Sequence, residues 1–173
     1  MKNEVLEAIK TRRSCRKYKR EQVSDEELMA VLEAGIYAPT AKGKQDPFIV
    51  AVQNEADKAV LTAMNAKVMG VASNPYYDAP TYVLVFAPAD SPNALQDGSC
   101  VLENMMIAAH AVGLASCWIN REQAMFATEE GKALMKKWGL PDGLMGVGAL
   151  SLGYADGEMK PAKERKAGYY RVV

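Results

Sequence analysis

The chain has 173 residues, the length of a single domain, and its 49% hydrophobic and 24% charged composition excludes a disordered chain. Lys and Arg number 21, as do Asp and Glu, so no net charge recruits nucleic acid or anionic membranes. Three cysteines and one histidine provide no disulfide framework, zinc pair or Ser-His-Asp triad, and they favour the reducing cytoplasm. The longest apolar runs are too short to span a bilayer, and the polar start over residues 1–4 predicts no signal peptide.

Caps, apolar spacing and breakers predict the elements. Ser24 and Glu27 form a capping box that begins a helix, and Pro39 disfavours helix at the residue before it. Residues 81–87 are rich in β-branched and aromatic residues between two prolines, which predicts a buried strand. In chain order, we expect a helix capped by Asn3, an exposed connector over 11–18, a helix from Ser24 to near Ala38 and a loop over 40–46. A strand over 48–52, a helix from Asn54 to near Val68, a loop over 70–80 and a strand over 81–87 should follow. The remaining elements are a helix over 95–112, a strand-like segment over 114–119, a helix capped by Thr128 and stopped by Gly139, and a strand over 145–152.

The order of these elements predicts the fold class. Helices and strands are mixed without the regular alternation of a doubly wound parallel sheet, so the pattern favours an α+β fold. Neither a repeat nor a linker interrupts the chain, and residues 1–173 are therefore expected to form one domain.

Positive charge is concentrated in two segments, residues 10–20 and 160–166. The first contains Arg12, Arg13, Ser14 and Arg16, whose guanidiniums and hydroxyl could hold a phosphate and polar ring atoms. Two cationic segments in a neutral chain indicate either a discrete anion site or two solvated faces.

Three further segments could contact a ligand. Residues 38–45 place a proline-stiffened loop at a helix end, where Gln45 offers both a donor and an acceptor, although an ordinary connection would look the same. Residues 113–119 read Gly-Leu-Ala-Ser-Cys-Trp-Ile, which is also compatible with a plain core segment. Residues 152–165 combine Leu-Gly-Tyr with Pro-Ala-Lys-Glu-Arg, which is also compatible with a frayed basic tail.

In this order and spacing, the four segments resemble the FMN-dependent nitroreductase family over nearly the whole chain. That family shows R-R-S-x-R, then A-P-S/T-A followed by Q-P-W, then G-L-G-S/T-C-W-I, and finally L-G-Y trailed by P-x-K-x-R. The resemblance implies a nitroreductase-like fold, with a central and mainly antiparallel sheet flanked by helices, in a homodimer with shared active sites.

The resemblance also implies which residues bind FMN. Cations from both ends of the chain would grip the phosphate, the remainder of the first motif would follow the ribityl chain and pyrimidine edge, and the strand segment would run beside the ring and offer a backbone N–H to N5. The loop over 39–45 would come from the other subunit. The implied cofactor-binding residues are Arg12, Arg13, Ser14, Arg16, Pro39, Thr40, Ala41, Gln45, Asn65, Ser116, Cys117, Trp118, Ile119, Asn120, Lys163 and Arg165.

The sequence departs from the family pattern at three places. Gly43 stands where the family has Asn, Ala115 stands where it has the second Gly, and Asp46 interrupts the Gln-Pro pair and leaves no aromatic directly after it. These departures concern the substrate pocket more than the cofactor, and Lys42 and Lys44 could line that pocket with positive charge.

A flavin site needs cations at the phosphate and near the N1–C2 carbonyl edge, and Arg16 suits the second position. Because the flavin carries the hydride, we expect no obligatory catalytic side chain. The resemblance implies an oxidoreductase that takes hydride from NADH or NADPH and reduces a small electron acceptor, a nitroaromatic or a quinone, in a ping-pong cycle. The fold also allows other FMN chemistry, such as reductive dehalogenation or dehydrogenation of an unsaturated carbonyl compound.

Other residues carry weaker indications. A nucleic-acid-binding role for residues 10–20 would need stacking aromatics, and only Tyr18 lies there. Cys117 is expected to be a small apolar residue near the flavin, not a nucleophile. Tyr76, Tyr77 and Phe126 could form a lid over the ring or be ordinary surface aromatics.

Overall fold

The computed structural model describes residues 3–173; Met1 and Lys2, at the polar start of the sequence, lie outside the described residues. The helices are α1 (Glu4–Thr11), α2 (Asp25–Ile36), α3 (Glu55–Met69), α4 (Ala94–Ala111), α5 (Glu122–Phe126) and α6 (Glu129–Lys137), with a 3-10 turn at Ala41–Gly43. The strands are β1 (Phe48–Val52), β2 (Thr81–Pro88), β3 (Ala115–Ile119) and β4 (Leu144–Gly153).

The four strands form one antiparallel sheet in the order β1-β2-β4-β3. β2 lies inside this sheet, and every residue before Pro88 is buried because both faces of the strand are covered. Since neighbouring strand residues point to opposite faces, Val83 and Val85 pack with α2 and α4, whereas Leu84 and Phe86 pack with α3, α5 and α6. The predicted α+β class and the central antiparallel sheet flanked by helices are confirmed.

Polar side chains begin the helices where the sequence predicts them. The Asn3 side chain accepts from the first backbone N–H groups of α1. Ser24 accepts from the Glu27 N–H while the Glu27 carboxylate accepts from the Ser24 N–H, so the predicted capping box is present. Thr128 accepts from the Gly131 N–H at 3.1 Å at the start of α6. These caps satisfy N–H groups that have no partner within their helix.

The lid interpretation is wrong for two of its three aromatic residues. Tyr76 is buried and stacks on Tyr82, with ring centroids 4.1 Å apart. Phe126 is buried and meets Phe86 edge to face at 4.7 Å. Both rings therefore complete the core on the α3 side of the sheet, and only Tyr77 remains partly exposed.

Among residues 3–173, none of the helices is both long and apolar enough to traverse a bilayer.

Candidate functional site

The segment before α2 is docked on the sheet, so the exposed connector that the sequence predicts over 11–18 is confirmed for Ser14, Arg16 and Lys17 but is wrong for the buried Cys15 and Tyr18. Ser14 forms a parallel bridge with Ser116 of β3, and the Cys15 N–H donates to the Ser116 carbonyl at 2.9 Å. Tyr18 is buried, and its hydroxyl donates to the carbonyls of Cys15 and Ser151. The Tyr18 ring is therefore packed in the core, where it offers no stacking surface for nucleic acid.

The same docking continues past the end of β4. Tyr18 is bridged to Ala155, and the Lys19 N–H donates to the Tyr154 carbonyl at 2.9 Å. In return, the Asp156 N–H donates to the Lys17 carbonyl at 3.0 Å. These backbone contacts place the first basic segment beside the start of the second one.

Both basic segments line a single cleft of about 590 Å³. Lys17 is paired with Asp156 at 2.7 Å, but within residues 3–173 no ion pair engages any of the other cations of this cleft. The carboxylates that reach the cleft are those of Asp156 and Glu158. The cations that line it without an ion pair are Arg12, Arg13, Arg16, Lys160, Lys163 and Arg165.

The guanidiniums of Arg12 and Arg13 differ in the hydrogen bonds that they make. Arg13 Nη1 donates to the carbonyls of Lys10 and Arg12 at 2.7 and 2.6 Å, so this side chain caps the carboxyl end of α1. Arg12 Nη1 is buried and has no hydrogen-bond partner among the described residues, and the same holds for Arg13 Nε. A buried charged donor without a partner is costly, and a phosphate oxygen would satisfy it. The donor set therefore fits the phosphate of FMN.

β3 contacts the first basic segment through its backbone. It is an edge strand whose inner neighbour is β4, so its outer side is open beyond the Ser14 bridge. Cys117 and Ile119 point into one core cluster, and Trp118 packs against the other. Burial raises the pKa of the Cys117 thiol, which favours its neutral form.

A buried amide fixes the turn after β3. Asn65 is fully buried; its Nδ2 donates to the Asn120 carbonyl at 3.0 Å, and its Oδ1 accepts from Arg121 Nε at 2.6 Å. Arg121 lies in the left-handed region at φ 89°, directly before α5. The Asn120 side chain accepts from Trp118 Nε1 at 2.9 Å. Asn65 therefore uses both ends of its amide to support the turn, and the FMN contact that the resemblance implies for it stays a prediction.

Glu122, which sequence reasoning missed, is fully buried at the first position of α5. Its Oε1 accepts from the Tyr76 hydroxyl at 3.0 Å, and its Oε2 has no partner among the described residues. Burial raises the pKa of this carboxyl to about 7. Gly146 of β4 makes room for it, because a Cβ there would lie 2.7 Å from the Glu122 backbone carbonyl. Gly146, one of three glycines in β4, is the sequence signal for this close approach of two backbones.

The loop at residues 39–45 lies away from the basic cleft. The Ala41 N–H donates to the Asp97 carboxylate at 3.0 Å, and the Gln45 N–H donates to Thr40 Oγ1 at 2.9 Å. Thr40 and Gln45 line a separate pocket of about 280 Å³ formed with α2, β1 and α4. Pro39 next to them is exposed. Within one chain, the structure does not bring this loop to the residues of the cleft.

Comparison with known proteins gives a consistent result. The model of the nitroreductase family matches residues 9–154. A protein of Archaeoglobus fulgidus provisionally named an NADH dehydrogenase/NAD(P)H nitroreductase is 34% identical over 161 residues, which cover 90% of this chain and 87% of that protein. A nitroreductase of Bacteroides fragilis with bound FMN is 34% identical and superposes with a TM-score of 0.89 over 99% of this chain and 100% of its own. A nitroreductase of Desulfitobacterium hafniense with bound FMN is 27% identical and superposes with a TM-score of 0.88 over the whole of both chains. This chain belongs to the nitroreductase family.

Proposed function

We propose that this chain is an FMN-dependent oxidoreductase that takes hydride from NADH or NADPH and reduces a small acceptor, a nitroaromatic or quinone, in a ping-pong cycle. The observation that carries the proposal is the convergence of Arg12 and Arg16 with Lys163 and Arg165 on one cleft. Cations that are not neutralised by carboxylates suit a phosphate dianion. The bound FMN of the two similar structures supports the same cofactor here.

FMN supplies the hydride chemistry when it is bound, and the chain's own residues hold and surround it. In this proposal, Arg12, Lys163 and Arg165 bind the phosphate, and Ser14 follows the ribityl chain. Arg16 places a permanent positive charge at the pyrimidine edge, where it favours negative charge that develops there. The open edge of β3 over residues 116–120 offers backbone N–H groups to the ring. No side chain is assigned an obligatory catalytic role, and water supplies the protons.

We further propose a homodimer in which the loop at residues 39–45 completes the partner's site. Its position outside the basic cleft of its own chain supports this arrangement. Large apolar side chains near this loop are exposed, among them Ile36 at 67% and Tyr37 at 77%. Such a surface is typical of an interface with another protein copy.

The test is FMN binding followed by anaerobic reduction. The purified protein should bind FMN tightly and be bleached by NADH or NADPH, and an added quinone or nitroaromatic should restore the yellow colour. The double variant Arg12→Ala with Arg165→Ala should remain folded and bind FMN at least about a hundredfold more weakly, since each charged hydrogen bond contributes about 1.5–3 kcal/mol.

The control is Lys132→Ala with Lys136→Ala, which removes the same charge from α6, outside the basic cleft. It should bind FMN as the unmodified chain does. Normal FMN affinity in the Arg12 and Arg165 variant would contradict the placement of the phosphate. Binding of FMN without reduction by either nicotinamide would instead favour the other FMN chemistries of this fold.

A further inference from the structure

The loop before β2 contains two successive strained residues. Tyr77 and Asp78 both lie in the left-handed region, at φ 58° and 53°. Residues with a Cβ adopt this conformation rarely, and a pair of them persists only where the surrounding structure determines it. Strained backbone of this kind clusters at functional sites, so the contacts of this pair indicate what the strain maintains.

A network of hydrogen bonds, from the exposed Asp78 to the buried Tyr76, holds this loop. The Asn74 side chain accepts from the Tyr76 N–H at 2.9 Å and donates to the Asp78 carboxylate at 2.8 Å. The Tyr76 carbonyl accepts from Ser151 Oγ of β4 at 2.8 Å, and the Tyr76 hydroxyl donates to Glu122 at 3.0 Å. The strained pair is thus held by Asn74 within its own loop, and by Tyr76, which bonds to the core of the sheet.

The held loop presents the Tyr77 ring to Arg16. The guanidinium carbon of Arg16 lies 5.8 Å from the Tyr77 ring centroid, within the range of a cation–π attraction. A polar interaction with the Tyr77 hydroxyl is also the main reason that the pKa of Arg16 is raised above its ordinary value. Arg16 lines the basic cleft and takes part in no ion pair within residues 3–173.

We propose that Tyr77 is a positioning residue: its ring holds the Arg16 guanidinium at the cleft, and the anchored loop keeps the ring in place despite the strained backbone. This inference rests on the proposed function, in which Arg16 faces the pyrimidine edge of FMN. An arginine that is already oriented loses less side-chain freedom when its ligand binds. Tyr77 therefore increases FMN affinity and the stabilisation of negative charge on the flavin through Arg16.

The experiment measures the FMN dissociation constant of the apoprotein and the midpoint potential of the bound flavin. Tyr77→Asn removes the ring while Asn tolerates the left-handed conformation, so the variant should be at least as stable as the unmodified chain. It should bind FMN about two- to fivefold more weakly, which corresponds to the loss of an exposed cation–π contact, and its midpoint potential should fall. Tyr77→Phe, which keeps the ring, should lose less than Tyr77→Asn in both measurements.

A double-mutant cycle tests whether the effect passes through Arg16. In an Arg16→Ala background, Tyr77→Asn should change neither the dissociation constant nor the potential. An equal loss in both backgrounds, or an unchanged dissociation constant and potential in Tyr77→Asn alone, would overturn the inference. If Tyr77→Asn does not fold, Tyr77→Gly serves as the second variant without a ring, since glycine adopts this conformation freely. An unmodified chain that binds no FMN would overturn the proposed function, and this inference with it.

Discussion

Glu122 is fully buried, and its position in the core makes its protonation part of the stability of the chain. Burial raises the pKa of its carboxyl from 4.5 to about 7, so the folded state keeps a proton that the unfolded state releases. Its stabilising contribution is fully present below the unfolded pKa and is lost as the pH rises through about 7. The Tyr76 hydroxyl and the Arg121 charge oppose this shift but do not cancel it.

We predict that Glu122→Gln removes this pH dependence, because the neutral amide has the same shape and no proton to release. The free energy of unfolding of the unmodified chain should fall by roughly 3 kcal/mol between pH 4.5 and pH 7.5 relative to Glu122→Gln. Urea unfolding at several pH values measures this difference. Glu130→Gln, which changes an exposed carboxyl of α6, is the control and should follow the unmodified chain. Parallel profiles for Glu122→Gln and the unmodified chain would contradict the prediction.

At the scale of elements, α3 and α6 are joined by one carboxylate. Asp57 of α3 is buried, and it accepts from Lys137 Nζ and, at 3.0 Å, from Trp138 Nε1. Both donors lie at the end of α6, where the chain leaves the helix. The hydrogen bond from Lys137 is the main reason that the pKa of Asp57 is lowered, so this clamp is present at neutral pH and weakens as acid protonates the carboxylate.

We predict that Lys137→Ala destabilises the chain by about 1.5 kcal/mol, the lower range for a hydrogen bond to a charged group. Lys132→Ala is the matched control on the same helix, where Lys132 pairs at 2.7 Å with an exposed Glu129. Exposed pairs contribute little, so this control should cost no more than about 0.5 kcal/mol. Urea unfolding at pH 7 compares the two, and equal losses would show that Asp57 does not join the helices as described.

Elements with strong local signals could be predicted from the sequence, and those defined by tertiary contacts could not. The capping box at Ser24 and the apolar run over 81–87 predict α2 and β2. α5 was missed because it has five residues, follows the left-handed Arg121 and has no side-chain cap. The lid interpretation failed because a Tyr-Tyr pair in a loop has the same sequence whether one ring is buried or both are exposed.

At the scale of the molecule, the segment after β4 lies almost entirely on the surface. Residues 156–173 are all exposed, including Tyr169 at 84% and Tyr170 at 86%. Lys163 and Arg165 lie midway along this segment, between the end of the sheet and the exposed aromatic residues. The core of its own chain therefore does little to hold this segment in place. In the proposed homodimer, an interface with a second copy would cover the aromatic part.

Two truncations separate the proposed role of the cations in phosphate binding from that of the aromatic part in dimer formation. A chain ending at 156 lacks Lys163 and Arg165, whereas a chain ending at 167 keeps both and loses only the aromatic part. If the chain forms the proposed homodimer, sedimentation should show a weaker dimer for both truncations. The ratio of the riboflavin to the FMN dissociation constant measures phosphate recognition. This ratio should fall towards 1 when the chain ends at 156 and stay at its full value when it ends at 167. A full ratio in the shorter chain would contradict the role of these cations.

The candidate site could be predicted from the sequence in part. The order of the motifs predicted that Arg12, Lys163 and Arg165 lie close together, and all three line one cleft in the structure. The support that Asn65 gives to the turn after β3 could not be predicted, because an amide in a helix looks the same in the sequence whether it faces a ligand or bonds to the backbone. The predicted contribution of the loop at residues 39–45 to a second copy stays a prediction, because the contacts within one chain do not test it.

The order of strands has a consequence for biosynthesis. β4 lies between β2 and β3, so β3 has no neighbouring strand in the sheet until the ribosome has made residues 144–153. The bridge from Ser14 to Ser116 depends on that same edge, and the cations after residue 160 emerge later still. Pairing of segments so distant in sequence is slow, because long loops must close first. Under the proposed function, a nascent chain cannot complete the phosphate site before residues 144–165 have emerged, so FMN uptake follows closure of the sheet.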